Sequence, residues 1–185
     1  MQKLILMLAV TAGPVFSEDC PAPRDNSSEL SALFQASRAA PNEQAGRALS
    51  AKMWEVWLRA PNEQAQAILD SGMRHRDSFD FVGAFEEFDR LATYCPDYAE
   101  GFNQRAYVHY LRENYADALI DLDQVLIISP THVPAQSGRA LTLLKLGRMD
   151  EARVQLQAAL INNPWLSERF LLAKGGPLAP VGEEI

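Results

Sequence analysis

Residues 84–96 read AFEEFDRLATYCP, residues 118–130 read ALIDLDQVLIISP, and residues 152–164 read ARVQLQAALINNP. Each stretch opens on alanine (Ala84, Ala118, Ala152) and closes on proline, so Pro96, Pro130 and Pro164 stand 34 residues apart. Eight residues before each proline lies a large apolar residue, Phe88, Leu122 or Leu156, and twenty-four before lies a small one, Gly72, Ala106 or Ala140. A fixed period of this length with small, large and proline positions in phase indicates stacked helical hairpins. Such stacks usually present an extended binding surface, so the repeat constrains function as well as fold.

Working outward, three regular hairpins are expected, with helices near 63–77 and 80–93, 97–112 and 115–128, and 133–146 and 149–161. Pro134 falls in the first turn of its helix, where a missing amide does no harm, and Gly147 suits a left-handed turn. Upstream, Pro-Asn-Glu-Gln-Ala occurs at 41–45 and again at 61–65. In each copy the asparagine can accept from a free first-turn amide and the glutamate favours the positive end of the helix.

A first helix is expected from Ser28, capped by Ser27 or Ser28, and a second from Glu43 to Arg59 carrying Trp54 and Trp57. Together residues 28–60 read as a degenerate hairpin at the N-terminal end of the stack, with both tryptophans packed on the next hairpin; the alternative for Trp54 and Trp57 is an aromatic ligand box. Residues 18–27 read as an extended segment. After Pro164, Ser167 can cap a short helix within 165–174, whose Phe170, Leu171 and Leu172 would close the stack. Residues 175–185 read as a frayed tail.

The chain has 185 residues, 48% hydrophobic and 22% charged, enough for one domain with a real core. The formal charge is −7 and no two lysines or arginines are adjacent. That argues against nucleic acid and against an anionic membrane surface, which both call for clustered positive charge.

Residues 1–17 carry Lys3, an apolar run from Leu4 to Ala12, the breakers Gly13 and Pro14, and then Val15-Phe16-Ser17. This is the pattern of a secretory signal peptide cleaved after Ser17, and the run is too short for a permanent membrane span. Asp19 directly before Cys20 argues against a lipoprotein. In an oxidising compartment the two cysteines, Cys20 and Cys95, suggest one disulfide; the alternative is two unpaired thiols.

Residues 65–164 resemble the tetratricopeptide repeat in copies at 65–98, 99–132 and 133–164. The resemblance rests on the phased residues above. It departs at position 11 (His75, His109, Leu143) and at position 15, commonly glycine, where Phe79 and Glu113 precede Gly147. The first two hairpin turns are therefore expected to be strained or rearranged. The fold implied is an all-α superhelix of helical hairpins, closed by the capping helix.

The resemblance further implies a concave groove that binds an extended or helical peptide. Its lining positions are Gln66, Leu69, Met73, Arg76 and Asp77, then Glu100, Asn103, Tyr107, Tyr110 and Leu111, then Pro134, Ser137, Leu141, Leu144 and Lys145. The strip Met73, Tyr107, Tyr110, Leu111, Leu141 and Leu144 is more apolar than a solvated face requires, and the chain's own N-terminal segment or tail is an alternative cover for it. The Lys/Asn arrangement that clamps a C-terminal carboxylate in some members is absent from this register. Arg105 and Asn103 are polar choices near the groove that could orient a partner.

Chemistry is sparse. His75 and His109 share one position in adjacent repeats and read as buried, hydrogen-bonded histidines, while His132 reads as a surface or capping residue. Glu86, Glu87, Asp89, Asp117, Asp121 and Asp123 read as solvated outer-face charge. No nucleophile, metal-ligand or phosphate-loop motif is present. The expectation is a non-catalytic, cofactor-free binding scaffold of the bacterial periplasm. An envelope enzyme using a carboxylate or histidine pair is the competing class, and a structural subunit with a self-filled groove is a third.

Overall fold

The computed structural model describes residues 19–180, so the signal-peptide reading of residues 1–17 and the last residues of the tail lie outside it. Among the described residues all regular structure is helical: α1 (Ser27–Arg38), α2 (Glu43–Trp57), α3 (Glu63–Asp77), α4 (Phe81–Tyr94), α5 (Ala99–Leu111), α6 (Tyr115–Ile128), α7 (Val133–Lys145), α8 (Met149–Asn162) and a 3-10 turn at Ser167–Leu172. Helices α3 to α8 pair as three hairpins, and each hairpin packs on the next through α4 against α5 and α6 against α7.

The alanines of the repeat do what their size permits. Ala84, Ala118 and Ala152 are wholly buried where paired helices approach closely, and Phe88, Leu122 and Leu156 fill the space beside them. Asn42 and Asn62 cap α2 and α3 by accepting the amides of Ala45 at 3.0 Å and Ala65 at 2.8 Å. The cap of α1 differs from expectation. Asn26 precedes the helix and Ser27 is already inside it, its amide held by Asp25 Oδ1 at 2.9 Å.

The first two hairpin turns are not rearranged. Phe79 and Glu113 adopt φ 63°, matching Gly147 at 75°, so all three turns share one left-handed geometry. Two of them bear a side chain in a region that costs a non-glycine residue roughly 1–2 kcal/mol. Phe79→Gly and Glu113→Gly are therefore expected to raise the unfolding free energy by about 0.5–1 kcal/mol each, since glycine returns part of the gain as chain entropy. Urea denaturation checks this, and a loss at both sites would show the turns to be unstrained.

The convex side carries a ladder with the repeat's own period. Arg105 forks onto Asp121 at 2.9 and 2.6 Å and reaches Asp89 of the preceding hairpin at 2.5 Å. Thirty-four residues on, Arg139 spans Asp123 at 2.6 Å and Gln155 at 3.1 Å. In the first hairpin Ser71 meets Glu87 at 3.4 Å in the same place. This corrects two expectations: Arg105 lies between second helices rather than at the groove, and these carboxylates are not free outer-face charge. Asp121 is only 4% exposed, because position seven of a first helix points back between two second helices.

The largest departure concerns the first hairpin. Helices α1 and α2 do not cap the N-terminal end of the stack; α1 contacts α8, at the far end of the repeats. Asn163 holds the seam, accepting from Ser37 Oγ at 3.2 Å and donating to Ser50 Oγ at 2.8 Å. Trp165 Nε1 donates to the Ser37 carbonyl at 2.8 Å, and its ring occupies the space that a side chain at Gly46 would need. Arg169 meets Glu43 at 3.1 Å. The core of the hairpin is completed by Val133 and Leu166 from the other end of the chain. At its base, Tyr98 Oη donates to the Trp57 carbonyl at 2.8 Å.

The C-terminal expectations also shift. The capping element is a 3-10 turn with Phe170 exposed, while Leu171 and Leu172 pack on the core around Leu143 and Leu156. Residues 175–180 are not frayed: Leu178 is fully buried in that core, and Arg153 holds the carbonyls of Leu178 and Ala179.

Candidate functional site

First helices α3, α5 and α7 line the concave side, and the returning α2 with the 163–168 segment faces them. A cleft of about 630 Å³ remains between, within the range of sites that hold small ligands or short segments. Six of the nine residues read from the sequence as groove candidates line it: Met73, Arg76, Asn103, Tyr107, Tyr110 and Leu141. Asp77, Pro134 and Ser137 join them. The other three do not. Leu144 packs into the end core, Leu111 is half-buried away from the cleft, and Lys145 is exposed. Leu69 is wholly buried core and Gln66 is tied to the Ala60 amide and Asp70.

The opposite wall includes Trp54 and Trp57 of α2. Trp54, 38% exposed, presents part of its ring to the cleft beside Trp57, whose ring is buried against Phe34, Trp54 and His132. The tryptophans thus face α7 rather than the following hairpin, because their own hairpin folds back. Among the described residues, neither 19–26 before α1 nor 175–180 of the tail lines the cleft; α2 covers it, and only in part.

Beneath the cleft lies a polar network. Glu100, 1% exposed, accepts from Asn103 Nδ2 at 3.1 Å, Gln104 Nε2 at 2.5 Å and His132 Nε2 at 3.0 Å. His132 Nδ1 accepts the Ala135 amide at 3.2 Å and caps α7, so the ring proton sits on Nε2 and points at the carboxylate. Gln104 Oε1 in turn accepts from Arg76, whose guanidinium also lies over the Tyr107 ring. This arrangement fixes Asn103 and Arg76 in the floor of the cleft. A buried charge is tolerable here because three side-chain donors satisfy it.

His132 therefore caps as expected but is buried rather than at the surface, and Glu100 sits below the groove rather than in it. Polarity alone hid both from the sequence; their spacing of 32 residues, one repeat less two, was the available signal.

The other histidines also differ from expectation. His75 is half exposed and pairs with Asp80 at 2.7 Å, and the Gly83 amide and that imidazole together hold the Asp80 carboxyl below its ordinary range. His109 packs edge-on to Phe85 and its buried Nδ1 has no partner among the described residues; burial holds its pKa below the usual imidazole value. Tyr98 is pushed up by burial, with Glu100 and Asp70 adding to the shift, so its hydroxyl remains a donor to Trp57. Among the described residues no three His, Cys, Asp or Glu side chains come together as a metal site, and no helix is long and apolar enough to cross a membrane. The sulfurs of Cys20 and Cys95 lie within disulfide-bonding distance, with Cα atoms 5.2 Å apart.

The fold and cleft define a helical-repeat solenoid with a concave site roofed by its own first hairpin. More specifically, the architecture is that of tetratricopeptide repeat domains, and residues 109–165 match the tetratricopeptide repeat family. Similar proteins include a TPR repeat-containing protein of Rhizobium etli, 38% identical over 64 residues. Tetratricopeptide repeat protein 36 of Bos taurus is 30% identical over 123 residues, 64% of this chain.

The chain spans 31% of the length of the first of these and 65% of the second. Among solved structures, the first TPR domain of Spaghetti (RPAP3) bound to an HSP90 peptide superposes with a TM-score of 0.56 at 18% identity, covering 58% of this chain and 86% of that one. The TPR domain of Arabidopsis OM64 gives 0.58 at 18% identity, with 61% and 93% covered.

Proposed function

We propose that this protein is a non-catalytic tetratricopeptide-repeat scaffold of the bacterial periplasm or cell envelope, holding a protein or peptide segment in the roofed cleft. The observation that carries the reading is the cleft itself. It joins aromatic and aliphatic walls to a fixed polar floor of Asn103 and Arg76, the combination that orients a ligand while burying its apolar groups. The similar RPAP3 domain, bound to an HSP90 peptide, supports a peptide as the class of ligand. The Glu100–His132 pair favours no enzyme, because both groups are shut away from solvent.

Tyr107→Ala with Leu141→Ala is expected to abolish capture of a segment selected on the wild-type protein from a displayed peptide library. Thermal unfolding should move by less than about 3 °C, because Tyr107 is 48% exposed and Leu141 lies at the cleft surface. A large stability loss would instead identify the strip as core.

Export is supported by the signal-peptide pattern of residues 1–17 and by the nearness of Cys20 to Cys95. We read those cysteines as a disulfide tying the start of the mature chain to the loop before Pro96. Alkylation of the exported protein under denaturing, non-reducing conditions should add no mass, and reduction should cost roughly 2–4 kcal/mol. Two alkylated thiols before reduction would refute the bridge.

A further inference from the structure

Beneath the cleft, Glu100 carries a charge that no cation answers. Its carboxylate is 1% exposed and is held by Asn103 Nδ2, Gln104 Nε2 and His132 Nε2. The amides are neutral, and so is the imidazole, because its Nδ1 accepts the Ala135 amide. Among the described residues no lysine or arginine pairs with Glu100; Arg76 stops one residue short, on Gln104 Oε1. A fully buried glutamate without a counter-ion is the exception in folded proteins.

The same carboxylate dictates what the cleft offers a ligand. A carboxylate only accepts, so Asn103 must turn Nδ2 toward it, at 3.1 and 3.2 Å from its two oxygens. Oδ1 is then the atom that Asn103, 6% exposed, presents to the cleft it lines, and it has no donor among the described residues. The floor therefore accepts hydrogen bonds. Charge runs the same way. Arg76 and Asp77 neutralise each other at the cleft wall, while Glu168, half-buried on the facing segment, has only the Ser167 hydroxyl at 3.1 Å. Among the described residues no lysine lines the cleft. Trp54 and Tyr107 add exposed aromatic surface, which attracts cations.

We infer that the cleft selects its segment by a lysine side chain, whose ammonium donates to Asn103 Oδ1 above Glu100 while its methylenes lie along Trp54 and Tyr107. This rests on the reading of the cleft as a peptide site. Arginine fits less well, because its planar fork seeks paired acceptors and a single oxygen is offered here. A free C-terminal carboxylate is refused, since it would meet an acceptor oxygen and the charges of Glu100 and Glu168.

The test uses N-acetylated, C-amidated heptapeptide mixtures, random at the flanks and carrying lysine, arginine, norleucine or glutamate at the centre, passed over the immobilised whole protein. The lysine mixture should be retained about tenfold more than the norleucine mixture, the weight of one hydrogen bond to a charged group, and the glutamate mixture not at all. Tyr107→Ala with Leu141→Ala should abolish retention. Asn103→Leu should hold norleucine peptides as well as lysine ones, and Glu168→Gln, which breaks only the bond from Ser167, should narrow the preference in a protein of unchanged fold. Equal retention of lysine and norleucine peptides, lost in the Tyr107/Leu141 variant, overturns the lysine and leaves the peptide cleft standing. Equal retention of the arginine mixture also overturns it, since the overall charge of −7 would then suffice. Retention of no mixture, or retention that survives the Tyr107/Leu141 variant, overturns the peptide cleft and the lysine together.

Discussion

Arg105→Leu lowers the unfolding free energy by about 3–5 kcal/mol, the cost of leaving a buried carboxylate without its partner. Asp121 is 4% exposed and both its oxygens are held by the one guanidinium. Removing the arginine strands that charge where water cannot reach it. Arg105→Leu combined with Asp121→Leu should recover most of the loss, because the interior is then merely apolar. Asp89→Asn should cost far less, since the Asp89 side chain is half exposed. Urea denaturation of the four proteins decides it. A single-variant loss below about 1 kcal/mol would reduce the ladder to a surface bridge.

Gly46→Leu is expected to open the seam between the first hairpin and the last repeat. A side chain at Gly46 overlaps the indole of Trp165, whose ring is pinned by its bond to Ser37. The helix cannot retreat, because Asn163 holds Ser37 and Ser50 on the same side. Overpacking of this kind costs typically 1–3 kcal/mol, and here it falls on the contacts that join the hairpin to the last repeat. The hairpin should therefore detach while the three repeats stay folded. Small-angle scattering should show a larger radius of gyration, and amide exchange should rise across residues 27–57 and stay unchanged in α4 to α6. An unchanged radius with unchanged exchange would show that the seam absorbs the side chain by local adjustment.

The repeats were legible because translation imposes the same demand three times. Only a small residue fits at Ala84, Ala118 and Ala152, and only a large one beside it, so the pattern survives varied flanks. The groove was legible to the extent that it follows from this register, which found Met73, Arg76, Tyr107 and Leu141. The returning hairpin was not, because Ser37, Gly46, Asn163 and Trp165 meet from opposite ends of the chain and belong to no period. Arg105 was misread for a different reason. Its position beside Asn103 suggested the groove, yet in the stack it faces the crevice between two second helices. Glu100 and His132 escaped because the polar residues that satisfy a buried charge look the same in sequence as those that face water.

An open solenoid has two free ends, and each unit depends only on its neighbours. Joining Ser37 and Gly46 to Asn163 and Trp165 removes that freedom, for the first element now leans on the last. The chain becomes a loop of mutual supports with no terminal unit from which melting can start. Its unfolding should then resemble that of a globular domain, a single sharp transition, and no repeat can be added or deleted without breaking the circuit.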